Sequence, residues 1–251
     1  MYCHPYTHEP LRREGDFLVG DRSGARFPIE DGMPVFLSER DLEGLNGRYE
    51  RLYNRIAPIY DFTLRLGYVF MGRGGERQAR WEYLKELEIK DGDRVLETSI
   101  GTGGNLKFLP RGARYWGLDI SRGMLKVCRR EVRRLGVQAE LCLAAAEHLP
   151  YPDGFFDCVY HMGGINFFSD KAGAIREMVR VAKPGTKILI ADETADLAKS
   201  AVKVPVASAF YKQPEEAFNA PVSLLPPGMQ EVKVEVIGRG RLYCLTFRKP
   251  A

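Results

Sequence analysis

Residues 95–106 read Val-Leu-Glu-Thr-Ser-Ile-Gly-Thr-Gly-Gly-Asn-Leu, an apolar run followed by a cluster of glycines. The run predicts a buried strand, and the glycines predict a tight turn at the start of a helix. Glycine lets the backbone of such a turn approach a ligand closely, and free N–H groups at a helix start favour phosphate or carboxylate groups. The segment therefore predicts a ligand-binding loop.

Around this loop, strand-like and helix-like segments alternate from Arg94 to the C-terminus. A helix is predicted to begin at the capping residue Ser121 and to end at Gly136. The last two strands, at 232–237 and 242–247, are joined by a short glycine-containing turn and predict an antiparallel hairpin. The pattern predicts an α/β fold, a Rossmann-like doubly wound sheet that is mostly parallel and ends in the antiparallel C-terminal hairpin.

Two zones precede this domain. In residues 1–40, short apolar pieces alternate with Gly, Pro and Asp, which predicts a small β-rich lobe. Residues 41–90 carry apolar side chains at helical spacing, such as Tyr49, Leu52 and Tyr53, and predict a helical cap segment. The ligand-binding domain is then predicted to occupy residues 91–251.

Composition excludes several classes of protein. The 251 residues carry 37 Lys and Arg against 33 Asp and Glu, with interspersed signs, so no nucleic-acid partner is expected. No apolar run reaches the roughly 18 residues that a membrane span requires. The chain has five cysteines and no CxxC pair, which is typical of reduced thiols and favours a cytoplasmic location.

The nature of the ligand follows from three further positions. Asp119 lies at the end of the next predicted strand, where a carboxylate can accept hydrogen bonds from both ribose hydroxyls of a nucleoside. A dinucleotide fingerprint would place a third glycine at Leu106, and Glu97 would repel a pyrophosphate. S-adenosylmethionine fits better, because its carboxylate suits the loop amides and its ammonium and sulfonium groups tolerate nearby acids.

Several motifs then resemble the class I S-adenosylmethionine-dependent methyltransferases, most closely the small-molecule branch typified by the ubiquinone and menaquinone C-methyltransferases. They lie at 95–103, 117–125, 146–151 and 181–185, and a fifth at 57–61 resembles the segment that covers the cofactor's methionyl end. The resemblance implies S-adenosylmethionine as the cofactor. Its predicted binding residues are Glu97, Gly101, Thr102, Gly103, Asp119, Ile120, Met124 and Ala146.

One position departs from that family pattern. Ala145 stands where the family commonly has an Asp that contacts the adenine amino group. The backbone N–H of Ala146 could serve instead, with Ile120 and Met124 on either side of the ring. The sequence leaves open whether Glu147 contacts the ligand or is a solvated acid on the surface.

Few catalytic side chains are expected, because methyl transfer from a sulfonium mostly needs alignment and removal of a proton. His161 ends the fourth strand and is the candidate general base, with Asp192 and Glu193 as secondary candidates. Tyr60 is the second catalytic candidate, in an acceptor pocket that Tyr53 and Tyr211 could also line. A small or lipid-like acceptor is expected, because residues 202–225 form an apolar, proline-broken stretch that predicts a lid.

The N-terminal lobe carries a second resemblance. Residues 27–37 resemble the end of the small zinc-ribbon domain of tRNA-methyltransferase activator proteins. The four ligand positions of that domain fall on Cys3, Tyr6, Gly20 and Ser23, so no metal site is expected. The lobe is predicted to be a degenerate remnant that serves packing or contact with a protein partner.

Two other functions remain open. One is a non-catalytic cofactor-binding subunit that docks a partner through its N-terminal lobe. The substitution at Ala145 and the missing thiolates of the lobe favour this hypothesis. The other is a nicotinamide-dependent oxidoreductase, which Glu97 and Leu106 disfavour.

Overall fold

The protein is described by a computed structural model that covers residues 2–70, 75–202 and 218–251. Its strands are β1 (Leu11–Glu14), β2 (Phe17–Gly20), β3 (Arg26–Glu30), β4 (Met33–Pro34), β5 (Arg94–Thr98), β6 (Arg114–Asp119), β7 (Ala139–Leu143), β8 (Cys158–Met162), β9 (Lys187–Glu193), β10 (Gln230–Ile237) and β11 (Leu242–Arg248). Its α-helices are α1 (Gly44–Phe70), α2 (Gly75–Leu84), α3 (Arg122–Leu135), α4 (Lys171–Val181) and α5 (Ala195–Val202).

Within these residues, seven strands form one sheet in the order β10-β11-β9-β8-β5-β6-β7. Strands β5 to β9 are parallel, and β11 pairs antiparallel with both β9 and β10. The predicted fold class is confirmed, including the antiparallel hairpin and the separate β lobe. The chain reverses its direction of sheet growth beside β5, since β6 lies on one side of β5 and β8 on the other. In open α/β sheets, such a switch point is where ligands bind.

The helix predicted after the glycine turn is absent from the structure. Only a single 3-10 turn, Leu106–Phe108, follows the loop, and Leu109 is already extended at φ −90° and ψ 156°. Pro110 explains this conformation, because a proline disfavours helical backbone at the residue before it. The Leu106 side chain is buried in the core beneath the loop. The N–H groups of the loop therefore lack the additional positive potential that the dipole of a following α-helix would supply.

Helix α3 begins and ends where the sequence predicted. The Ser121 hydroxyl accepts a hydrogen bond from the Met124 N–H at 3.1 Å, which caps the first turn. Gly136 ends the helix in the left-handed conformation at φ 64°. Met124, Leu125 and Cys128 are buried on the face of α3 that packs against the sheet.

Helix α1 crosses the first turn of α3 and is tied to it by one side chain. The side-chain oxygen Oδ1 of Asn54 accepts hydrogen bonds from the Ser121 hydroxyl and from the Gly123 N–H, each at 2.8 Å. The two helices approach so closely that a Cβ on Gly123 would lie 3.1 Å from Asn54 and Ala57. This contact fixes the part of α1 that follows it over the carboxyl edge of the sheet.

The N-terminal lobe is a four-stranded antiparallel sheet in the order β1-β2-β3-β4. It docks on the open edge of β7, where the N–H groups of Phe36 and Leu37 both donate to the Leu143 carbonyl at 2.8 and 3.2 Å. Val35 forms an isolated parallel bridge with Leu143. The lobe thus covers a sheet edge that would otherwise present unpaired backbone groups.

A carboxylate occupies the region of the lobe where the resemblance places zinc ligands. Glu9 accepts hydrogen bonds from the N–H groups of Arg22 and Ser23 at 2.8 and 3.2 Å. A Cβ on Gly20 would lie 2.7 Å from the Glu9 carboxylate. Tyr6, at a second ligand position, donates instead to Asp41 at 2.7 Å. In the described part of the chain, no three His, Cys, Asp or Glu side chains cluster as metal ligands.

Two predicted features lie on residues that the structure does not describe. Tyr211 and most of the predicted lid at 202–225 lie outside the described ranges. The five cysteines are free thiols, and all are buried. None of the helices in the described ranges combines the length and apolarity needed to span a bilayer.

Candidate functional site

A cavity of about 370 Å³ opens at the carboxyl edge of the sheet, over the switch point between β5 and β8. Its volume lies within the range of small-molecule sites. Of the predicted site residues, eight line it: Tyr60, Glu97, Gly101, Thr102, Asp119, Ile120, Met124 and Ala146. Gly103 and His161 do not. The structure thus brings most of the predicted site together in one place.

Asp119 lies at the end of β6 and faces the loop after β5. Its carboxylate accepts a hydrogen bond from the Gly101 N–H at 2.9 Å and another from the Ser121 N–H at 2.8 Å. Burial raises the pKa of Asp119 to about 6, although these backbone donors favour the ionised form. The carboxylate is held rigidly at the cavity wall, where it can accept further hydrogen bonds.

Glu97 lies at the centre of a buried hydrogen-bond network. Its carboxylate accepts from the Tyr160 hydroxyl at 2.7 Å and from the Asn105 amide at 2.5 Å. The side-chain oxygen Oδ1 of Asn105 in turn accepts a hydrogen bond from the Arg80 guanidinium at 2.6 Å and another from the Tyr83 hydroxyl at 2.7 Å. Burial raises the pKa of Glu97 to about 7. An ammonium group beside this carboxylate would restore its ionised form.

The two motif glycines serve different purposes. Both have positive φ, 56° at Gly101 and 78° at Gly103, which a side chain disfavours. A Cβ on Gly101 would meet no atom within 4 Å, whereas one on Gly103 would lie 2.8 Å from the Cys128 sulfur. Gly101 therefore leaves room for a ligand, and Gly103 lets the loop pack on α3.

Thr102 connects the loop to α1. Its hydroxyl donates a hydrogen bond to the Asp61 carboxylate at 2.6 Å. Asp61 is the last residue of the motif at 57–61, which the resemblance places over the methionyl end of the cofactor. Helix α1 continues through Pro58, and its residue Tyr60 lines the cavity.

Two apolar side chains and a buried polar pair also lie at the cavity. Ile120 and Met124 both line it, as expected for residues that flank a planar ring. Glu147 is not a solvated acid, because its side chain is buried and accepts a hydrogen bond from Asn46 at 2.9 Å. Asn46 also lines the cavity and was missed in the sequence, since its partner lies 101 residues away.

His161 lies outside the cavity. The ring is fully buried, with Nδ1 at 3.1 Å from the Thr98 hydroxyl and an edge-on contact with Phe168. Burial lowers the pKa of His161 to about 4, so the imidazole is neutral at pH 7. Its role as general base stays a prediction that this position does not favour.

Aromatic side chains also line the cavity. Tyr53, Tyr60 and Phe167 line it, and the rings of Tyr53 and Tyr60 meet edge to face. Glu193 lines the cavity, whereas Asp192 is fully buried and accepts from backbone N–H groups, including that of Asn166 at 2.9 Å.

Two arginines of the cavity wall were missed in the sequence. Arg80 comes from α2, and Arg241 immediately precedes β11. Neither lies in a recognised motif, so no local signal points to them. Only the folding of α2 and of the C-terminal hairpin onto the carboxyl edge of the sheet brings them there.

Comparisons with known proteins agree with this geometry. Residues 96–190 match the model of a methyltransferase domain. The ubiquinone/menaquinone biosynthesis C-methyltransferase of Cupriavidus pinatubonensis is 31% identical over 148 residues, 57% of this chain. The chain resembles the class I S-adenosylmethionine-dependent methyltransferases. This chain spans 59% of the length of that methyltransferase relative.

Solved methyltransferase structures share the fold. A methyltransferase of Thermotoga maritima superposes with a TM-score of 0.59 at 20% identity, over 79% of this chain and 99% of that chain. A phosphoethanolamine N-methyltransferase of Haemonchus contortus, solved with S-adenosyl-L-methionine, superposes with a TM-score of 0.55 at 18% identity, over 79% of this chain and 60% of the other. The predicted methyltransferase resemblance is confirmed.

Proposed function

We propose that this protein is an S-adenosylmethionine-dependent methyltransferase that acts on a small or lipid-like acceptor. The observation that carries the proposal is the pairing of Asp119 with the Gly101 N–H across one end of the cavity, with the buried carboxylate of Glu97 beside it. A ribose and an ammonium group each find a complementary partner there. The match to a methyltransferase domain and to C-methyltransferase relatives supports the same assignment.

Each proposed cofactor-binding residue has a distinct task. Asp119 accepts from the ribose hydroxyls, Glu97 pairs with the ammonium, and the amide of Thr102 faces the carboxylate, because the Gly101 N–H already donates to Asp119. Ile120 and Met124 hold the adenine ring, and the Ala146 N–H replaces the missing acid at Ala145 as its polar contact. Gly103 contributes by letting the loop pack against α3.

The bound cofactor supplies a methyl group on a sulfonium, which is already activated for in-line displacement. The protein then has to align the acceptor, exclude water and accept a proton where the acceptor carries one. Tyr60, which belongs to α1, lines the cavity, and we propose that it lies nearest to the reacting atoms. A dinucleotide is disfavoured further by the loop, because no helix start follows it to hold a pyrophosphate.

Calorimetric titration with S-adenosylhomocysteine and, separately, with NADH tests the proposal. The wild type should bind the first and not the second. Asp119→Asn should weaken S-adenosylhomocysteine by roughly 10- to 100-fold, since a charged acceptor of two hydrogen bonds is lost. Asp16→Asn, an exposed aspartate of the lobe, is the matched control and should bind like the wild type.

Equal affinity of wild type and Asp119→Asn would count against the proposed site. Binding of NADH alone would favour the oxidoreductase instead. Binding of S-adenosylhomocysteine by a protein that transfers methyl groups only in the presence of a stoichiometric partner would favour the cofactor-binding subunit that docks a partner through its lobe.

A further inference from the structure

The cavity wall contains a guanidinium, that of Arg241, for which the described residues provide no counterion. Arg241 is half-buried, lines the cavity and lies at the start of β11. Among the described residues, no carboxylate forms an ion pair with it and no side chain hydrogen-bonds to it. By contrast, the other cavity arginine, Arg80, is committed to Glu76 and Asn105. A charged group that is partly withdrawn from water favours a partner of opposite charge.

The position of Arg241 is fixed by the backbone. Its carbonyl accepts a hydrogen bond from the Thr194 N–H at 2.9 Å, and the next residue, Leu242, pairs with Glu193 of β9. The Thr194 hydroxyl also donates to the Gly240 carbonyl at 2.7 Å. The guanidinium is therefore carried by a constrained turn at the edge of the sheet.

Arg241 is distant from the proposed cofactor groups. Strands β9 and β8 lie between β11 and β5, which makes three strand spacings of about 4.8 Å, or about 14 Å in all. The loop amides that face the cofactor carboxylate follow β5. Arg241 thus lies at the acceptor end of the cavity, next to Leu242 and Glu193 rather than beside Gly101.

We infer that the methyl acceptor is an aromatic molecule that carries a carboxylate, and that Arg241 binds this carboxylate. The planar guanidinium matches a carboxylate with two parallel hydrogen bonds. The rings of Tyr53, Tyr60 and Phe167 provide apolar faces for an aromatic body. Glu193, which pairs with Leu242, also lines the cavity, and the attraction of Arg241 has to exceed the repulsion that Glu193 exerts on the bound carboxylate. This inference rests on the proposed methyltransferase function.

The test uses the full chain saturated with S-adenosylhomocysteine, titrated with aromatic acids and their primary amides. Suitable pairs are benzoate with benzamide, 4-hydroxybenzoate with 4-hydroxybenzamide, and cinnamate with cinnamamide. The wild type should bind at least one acid roughly tenfold or more tightly than its amide, as expected for a charge-assisted pair. Arg241→Gln should abolish the preference, and Arg241→Glu should reverse it.

Arg239→Gln is the matched control, because Arg239 belongs to the same turn and does not line the cavity. It should keep the preference of the wild type. A wild type that binds no acid more tightly than its amide overturns the inference, as does an Arg241→Gln protein that keeps the preference. A loss of S-adenosylhomocysteine affinity in Arg241→Gln overturns it too, because Arg241 would then hold the cofactor. Failure of the wild type to bind S-adenosylhomocysteine refutes the underlying methyltransferase proposal itself.

Discussion

Two buried titratable side chains lie close to the cavity and respond to pH in opposite directions. Glu97 is a carboxyl group whose pKa is raised to about 7, and His161 is an imidazole whose pKa is lowered to about 4. In both cases burial disfavours the charged form, which is the deprotonated form for Glu97 and the protonated form for His161. Each shift couples the folding equilibrium to proton binding.

For Glu97, we expect the ligand-free protein to lose stability as the pH rises. The folded state holds the proton up to a pH of about 7, whereas the unfolded carboxyl group releases it near 4.5. The stabilisation is complete below pH 4.5 and lost as the pH rises through 7, on the order of 3 kcal/mol in total. Denaturant unfolding between pH 4.5 and 8 measures it, and Glu97→Gln should remove this part of the slope. The same slope in Glu97→Gln would show that another group titrates.

For His161, the expected dependence has the opposite sign. The unfolded imidazole binds a proton near pH 6.5, but the folded one resists protonation down to about pH 4. The contribution of His161 to the free energy of unfolding is present above pH 6.5 and is lost as the pH falls towards 4. His161→Gln should therefore flatten the acid limb of the stability profile, with exposed His8 replaced by Gln as the control. If His161→Gln instead altered the pH dependence of turnover without altering stability, the ring would have a catalytic role.

At the scale of elements, the loop after β5 depends on its contact with α3. Gly103→Ala should destabilise the protein by about 2–4 kcal/mol, because the new Cβ meets the Cys128 sulfur and the backbone has positive φ. Gly101→Ala should cost only the backbone strain, about 1–2 kcal/mol, since its Cβ would point into open space. Thermal or denaturant unfolding gives both values.

A double-mutant cycle checks the reason given for Gly103. In a Cys128→Ala background, which removes the sulfur, Gly103→Ala should destabilise the protein less than it does in the wild type, with the contact to Leu106 at 3.2 Å and the backbone strain remaining. An undiminished cost would mean that the backbone conformation, and not the contact with Cys128, requires glycine. Cofactor affinity should show the reverse ranking, because only Gly101 lines the cavity.

At the scale of the whole molecule, the N-terminal lobe shares its core with the α/β domain. Leu18 and Phe36 of the lobe belong to one buried cluster with Trp116 and Tyr151. Backbone hydrogen bonds to Leu143 join the same two parts. We therefore expect a single unfolding transition, with circular dichroism and tryptophan fluorescence changing together. Two separated transitions would show that the lobe folds independently.

Phe36→Ala tests the strength of this coupling. The side chain is 3% exposed and packs against Phe27 and Tyr2, so its truncation should cost about 3–5 kcal/mol for the whole protein. Phe62→Ala is the control, because Phe62 is 70% exposed and should change stability by less than about 0.5 kcal/mol. A loss confined to the lobe, with the transition of the α/β domain unchanged, would contradict the shared core.

The amino-acid sequence by itself determined the order of strands and helices, the caps of α3 and eight of the residues that line the cavity. These depend on local signals: Ser121 and Gly136 define helix ends, Asp119 ends β6, and Gly101 lies in the loop that follows the neighbouring parallel strand β5. The sequence did not reveal the 3-10 turn at Leu106–Phe108 in place of a helix, where Pro110 overrides the expected pattern.

Only the tertiary structure decided which of these residues share the cavity. The fold buries His161 outside the cavity and buries Glu147 against Asn46. It also brings Arg80 and Arg241 to the same edge of the sheet from positions far apart in the chain. These outcomes depend on packing between segments that lie far apart in the chain, such as the 101 residues between Asn46 and Glu147. No local pattern of spacing or composition contains that information, because contacts between distant segments form only when the chain folds.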